Sequence, residues 1–159
     1  MSHWKKGKLK LKCSLAVLQR ALIKIKPEWE KYIKVDPAGG LTVFNSHTGE
    51  KTEGAKLVVP GGRRPMGGTI PGVVATPGIN YADIGFVQNK EGKWDTLIDP
   101  IGYYGADGLE GEITKEVSRM HVKAVARARG FQIAKDEDIE RGFRIGLVVP
   151  VGEQFRIRS

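Results

Sequence analysis

One cysteine, Cys13, is the whole thiol content of this 159-residue chain. A single thiol can neither close an intramolecular disulfide nor build a cysteine-based zinc site. The three histidines, His3, His47 and His121, fall at no spacing that pairs them with each other or with Cys13 as metal ligands. No apolar run approaches the roughly 18 residues that a helical membrane span needs. The longest, residues 15–25, is broken by Gln19, Arg20 and Lys24. The basic start of the chain leads to no unbroken apolar stretch with a small-residue cleavage site. The expected compartment is therefore the reducing cytoplasm, with no membrane partner. Several motifs of chemistry are also missing: a Walker loop, a GxGxxG turn after a strand, a nucleophile elbow, an RNA-recognition consensus and a KH loop. Residues 47–51, His-Thr-Gly-Glu-Lys, look like a zinc-finger linker, but no Cys or His pairs flank them. No cofactor and no catalytic residue are expected.

What the chain does have is charge, unevenly placed. The net charge is +8. Residues 1–34 hold 10 Lys/Arg and 2 Glu, a balance of +8. Residues 35–116 balance to −4 and residues 117–159 to +4. Basic ends around an acidic middle fit an anionic partner or an oriented docking, and they also serve plain solubility.

Residues 4–12 read as a strand with Lys6, Lys8, Lys10 and Lys12 on one face. Those lysines would stand about 7 Å apart, close to the spacing of successive phosphates. The same pattern also describes an edge strand kept from aggregating by lysine. Ser14 is placed to cap a helix running to Ile25, with Leu15, Leu18, Leu22 and Ile25 on one stripe and Pro27 as its stop. Cys13, just before that cap, reads either as a helix-terminal thiol of lowered pKa or as a small buried residue. Strands are expected at 32–35, 41–45, 55–59, 81–87, 93–99, 131–134 and 143–149, mostly joined as hairpins, with the last turn running through 136–140. The tail 151–159 alternates weakly and fits a further short strand.

Residues 60–78 contain six Gly and four Pro in 19 positions, together with Arg63 and Arg64. This is long for a connection in a compact domain and reads as a mobile loop. Its guanidinium groups could meet phosphate or carboxylate. Residues 102–111 read as a glycine-spaced loop and residues 112–129 as a helix ended by Gly130. On that helix Lys115, Arg119, Lys123 and Arg127 recur at every fourth position. The stripe fits docking on RNA, DNA or an acidic protein surface, and equally a solvated helix face. Asp83, Asp95 and Asp99 flank one hairpin. With Lys90 and Glu91 centring the turn, Asp83 lies opposite Ile98 and beside Asp99. Two close carboxylates could hold a divalent cation or share a proton, or simply bound their strands.

The pattern predicts an α+β fold. Its sheet is mainly antiparallel with two helices packed on one face, a two-layer sandwich, in one domain over 1–159.

These landmarks resemble the hypothetical chloroplast reading frame thirty-five (Ycf-type) family, small proteins of cyanobacteria, plastids, other bacteria and some phages. The residues that carry the resemblance are the opening Met1-Ser2-His3-Trp4, then Tyr81-Ala-Asp-Ile-Gly-Phe86, then Asn89, Gly92, Trp94, Leu97 and Asp99. The helix over 112–129, Gly130-Phe131 and the closing hairpin continue it. Two features depart from the family pattern. The 60–78 segment is longer, and Pro100-Ile-Gly102 stands where a tryptophan pair is usual. The resemblance implies a non-catalytic accessory or regulatory protein whose relatives are often encoded beside an AAA-class ATPase. The expected activity is accordingly the binding of a protein partner, with an ATPase as one identity. The alternatives are nucleic-acid binding through the two basic stripes and a metal-dependent enzyme built on the aspartates.

Overall fold

The computed structural model describes residues 5–8, 12–45, 48–61, 76–77, 79, 82–99 and 106–149. Chain contacts separate two compact units, residues 1–114 and 115–159, and each is described by itself. The fold is α+β with antiparallel strand pairing throughout the described residues.

The first unit is organised by a five-stranded sheet in the order β1-β7-β6-β5-β2. Its strands are β1 (Lys5–Lys8), β2 (Lys34–Val35), β5 (Leu57–Val59), β6 (Ile84–Gln88) and β7 (Trp94–Ile98). The central pair is closed by Asn89, whose side-chain Oδ1 accepts from the amides of Glu91 (3.0 Å) and Lys93 (3.1 Å). Gly92, at φ +81°, makes the left-handed step of that turn.

Strand alternation gives the sheet two faces. Leu57, Val59, Ile84, Phe86, Trp94 and Thr96 share one, and all are buried. The helices attach here. Helix α1 (Leu15–Ile25) starts where the Ser14 hydroxyl accepts from the Val17 amide at 3.2 Å. It buries Leu18, Ala21 and Leu22, and gives way to a 3-10 turn, Pro27–Trp29. The Trp94 indole N–H donates to the Cys13 carbonyl at 3.0 Å, tying the residue before the cap to the sheet. The Thr96 hydroxyl bonds Glu110 of helix α2 (Ala106–Ala128).

The opposite face carries a separate hairpin, β3 (Leu41–Phe44) with β4 (Lys51–Ala55). Val43 and Ala55 pack there against Val58, Ala82 and Leu97. Gly85 makes the approach possible, because a Cβ at that position would collide with the Val43 side chain. The strand expected at 55–59 is thus two strands in different sheets. Ala55 closes the hairpin, and Leu57 begins pairing with Phe86 two residues later.

Two other sequence expectations need correcting. Helix α2 begins at Ala106, six residues before the expected start. Gly108 and Gly111 cost helix propensity, about 1 kcal/mol each. Leu109 and Ile113, both fully buried, overrule that local preference. The acidic stretch 136–140, expected as a turn, lies mostly in strand β8 (Gln132–Ile139), which pairs with β9 (Gly142–Val148). This hairpin and residues 115–128 of α2 are the described elements of the second unit.

Candidate functional site

Two polar clusters stand out, one in each unit. In the first, Asp83 and Asp99 meet the end of β3. The observed register pairs Gly85 with Leu97, which sets Asp83 level with Asp99 rather than opposite Ile98. Asp83 Oδ2 accepts from the Phe44 amide at 2.9 Å and Oδ1 from the Gly61 amide at 2.7 Å. Asp99, buried, accepts from the Asn45 side-chain amide at 2.9 Å. Burial pushes the Asp83 carboxyl above its ordinary value, against the Gly61 and Phe44 amides and the Lys34 charge, which favour ionisation. Both carboxylates therefore hold chain segments together. Among the described residues no three His, Cys, Asp or Glu side chains gather as a metal-holding group. The cluster also anchors the near end of the glycine- and proline-rich segment. Gly61 lies so close to Ala82 that a Cβ would meet its backbone, and the Thr76 amide donates to the Pro60 carbonyl at 2.9 Å.

In the second unit the helix cations meet the strand carboxylates. Asp136 and Asp138 alternate along β8 and so share a face. Lys115 pairs with Asp138 at 2.9 Å and Lys123 with Asp136 at 2.6 Å. Arg119 lies between them, 5% exposed. It bonds Asp138 through Nη2, Glu116 through Nη1 at 2.8 Å, and its Nε lies 3.2 Å from Asp136. Its guanidinium also stacks 5.4 Å from the Phe143 ring centroid of β9. Burial works against the Arg119 charge, but Asp138, Glu116 and Asp136 outweigh it and raise its pKa. Lys115 and then Arg119 hold the Asp138 carboxyl down at about 2.

This arrangement corrects the reading of the helix stripe. Lys115, Arg119 and Lys123 are engaged within the unit, so they are not a free cationic row; Arg127 is exposed. Of the strand lysines, Lys6 and Lys8 lie in β1 at the register of Leu97 and Asp95, and Lys12 is exposed beyond the strand. Lys10, Arg63 and Arg64 lie outside the described residues, as do most of 60–78 and the tail 151–159. The Cys13 thiol is pushed up by burial, with the Trp94 hydrogen bond opposing, which is the reverse of an activated nucleophile.

The residues that sequence reading missed are the strand partners Asp136, Asp138 and Phe143. Their signal was present: carboxylates at every second position, following a helix with cations at every fourth. Sequence reading also missed a set of apolar side chains. Val122, Val125, Ile139, Leu147, Val148 and Val149 are the exposed large hydrophobics among the described residues, and all lie within 115–149. No helix among the described residues is long and apolar enough to cross a membrane.

Comparison with protein-family models, with curated proteins and with solved structures returns no match for this chain.

Proposed function

We propose that the chain is a non-catalytic accessory protein that acts by binding a protein partner, with residues 115–149 as the contact surface. The observation that carries this reading is the concentration of exposed apolar side chains there. Exposed Leu and Val are ordinary when scattered. Six within residues 115–149, with no counterpart among the described residues of the larger unit, support an interaction region there. The engagement of Asp83 and Asp99 as acceptors for backbone and side-chain amides supports the same reading over a carboxylate enzyme. An AAA-class ATPase is the partner implied by the family resemblance, and the reducing cytoplasm is the proposed compartment.

The test is titration of the labelled protein with an AAA-class ATPase from the same genome, followed by fluorescence anisotropy. Saturable binding that Leu147→Lys weakens at least tenfold is the expected result. No binding at about 100 µM ATPase, near the limit of a specific contact, overturns the ATPase assignment.

A second reading, nucleic-acid binding, is favoured by the exposed Arg127, Arg129 and Arg141. It requires affinity for single-stranded RNA or duplex DNA that falls steeply with salt. Arg127→Glu should weaken such binding without unfolding the protein, since Arg127 is exposed. Charge reversal at Arg119 cannot serve as that test, because it breaks the buried pairs.

A further inference from the structure

The β8–β9 hairpin has two outer edges, and they differ. Strand β8 carries Lys135, Asp136, Glu137 and Asp138 within its eight residues, which is how natural edge strands are kept from pairing. Strand β9 carries one charge, Arg144, in seven residues. At its end Leu147, Val148 and Val149 are 44%, 45% and 41% exposed. Among the described residues β9 pairs only with β8, in a sheet of two strands. A two-stranded sheet is marginal in water and is stabilised by further strands or by packing against a helix. Helix α2 packs on one face of this one, and its edges carry no further strand among the described residues.

We infer that the outer edge of β9, which has no strand partner among the described residues, pairs antiparallel with β9 of a second copy of this chain, about a two-fold axis at Gly146. The inference rests on the reading of 115–149 as a contact surface and names one occupant of it. The β9 sequence is self-complementary in that register. Phe143 then stands opposite the second copy's Val149, and Ile145 opposite its Leu147, so apolar side chains meet on the face that carries Asp136, Asp138 and the helix. On the other face Arg144 stands opposite Val148 of the second copy, and Gly146 meets its own counterpart. No like charges face one another, and an isologous contact of this kind closes as a dimer.

The helices permit the join. In each copy α2 lies across both strands, through Asp136 and Asp138 on β8 and Phe143 on β9. Two hairpins joined edge to edge set their centres two strand spacings apart, about 10 Å. That is the distance at which helices pack, so the two α2 segments come into contact without overlapping.

Analytical ultracentrifugation of the full chain alone tests this, from about 1 to about 100 µM protein, the range of moderate dimer affinities. The expected result is a monomer–dimer equilibrium. Val148→Lys faces Arg144 of the second copy and should weaken the dimer at least tenfold. Val148→Glu places a carboxylate against that arginine and should leave the dimer intact or tighten it. Adding Arg144→Gln to Val148→Lys, which removes the facing charge without setting a second carboxylate opposite Glu137, should recover part of the affinity. Since Val148 and Arg144 are both exposed, far-UV circular dichroism should be unchanged in each variant. A second readout needs no mutation: amides of 142–149 should exchange hydrogen more slowly as protein concentration rises. A chain that stays monomeric to about 100 µM overturns the inference, as does a dimer weakened equally by Val148→Lys and Val148→Glu. A monomer that accepts an unrelated extended peptide along β9 also overturns it. Partner titration is a separate measurement, so failure of the dimer is distinguishable from failure of the proposed function.

Discussion

Arg119 in α2 and Asp138 in β8 form the central ion pair of the second unit, with the arginine buried and the aspartate 66% exposed. The pair joins helix to hairpin where few apolar contacts do so, since no side chain of β8 or β9 is fully buried. Lys115, Lys123, Glu116 and Asp136 extend it into a network. Such a network fixes which helix face meets which strand, more than it adds net stability.

Replacing Arg119 by Met should destabilise the protein by about 3 kcal/mol. This is the low end for breaking a buried pair, because Asp138 keeps much of its hydration. Urea denaturation gives the value. Adding Glu116→Gln should recover part of the loss, since it removes the buried carboxylate charge that Arg119 engages at 2.8 Å. A cost under about 0.5 kcal/mol would mean that the pair contributes no more than an ordinary surface contact.

Asp138 predicts a pH dependence with a definite sign. Its carboxyl sits at about 2 in the folded protein against an ordinary 3.8. A depressed carboxylate stabilises the folded state above its unfolded value, and the contribution is lost as pH falls from there through the folded value. Stability should therefore decline between about pH 4 and pH 2, and Asp138→Asn should flatten that limb. Urea midpoints at several acidic pH values check it.

Asp83 works in the opposite direction. Burial raises its folded pKa, so its contribution is greatest below the unfolded value and is lost as pH rises through the folded one. Asp83→Asn keeps a single acceptor oxygen and leaves one of the Gly61 and Phe44 amides unpaired, at about 1–3 kcal/mol. The gap between wild type and variant should widen on acidification. The melting temperature should also stay flat across Mg²⁺, Mn²⁺ and Ca²⁺; a metal-dependent rise would revive the carboxylate enzyme.

Gly85→Ala tests the seating of the β3–β4 hairpin. The added methyl meets Val43, and overpacking of this kind costs about 1–3 kcal/mol. Val43→Ala in the same chain should relieve the clash, so the double variant should be less destabilised than the two single effects added together. Thermal melts of the three variants decide it.

The parts of the fold legible in the sequence were those set by local pattern. Ser14 and Pro27 bound α1 as expected, and Asn89 with Gly92 marks the β6–β7 turn. Elements whose conformation depends on a distant partner were not legible. Gly108 and Gly111 point to a loop until Leu109 and Ile113 are seen to be buried. Residues 136–140 point to a turn until Asp136 and Asp138 are seen to meet Arg119 and Lys123. The break at Lys56 is invisible to alternation, because Ala55, Leu57 and Val59 keep their spacing of two while the chain changes sheets. The candidate site failed to show for the same reason: the helix cations were visible, but the carboxylates that engage them were assigned to a turn.

The pairing of Lys5 with Ile98 has a consequence for synthesis. Strand β1 precedes the other strands of its sheet, and its partner among the described residues, β7, is the last of them to be made. Closing so long a loop is slow relative to forming the β6–β7 hairpin, whose strands are five residues apart. During translation the native pairing of β1 therefore waits until β7 has cleared the ribosome. A nascent chain arrested before Trp94 lacks the strand with which β1 pairs, and synthesis past Ile98 supplies it.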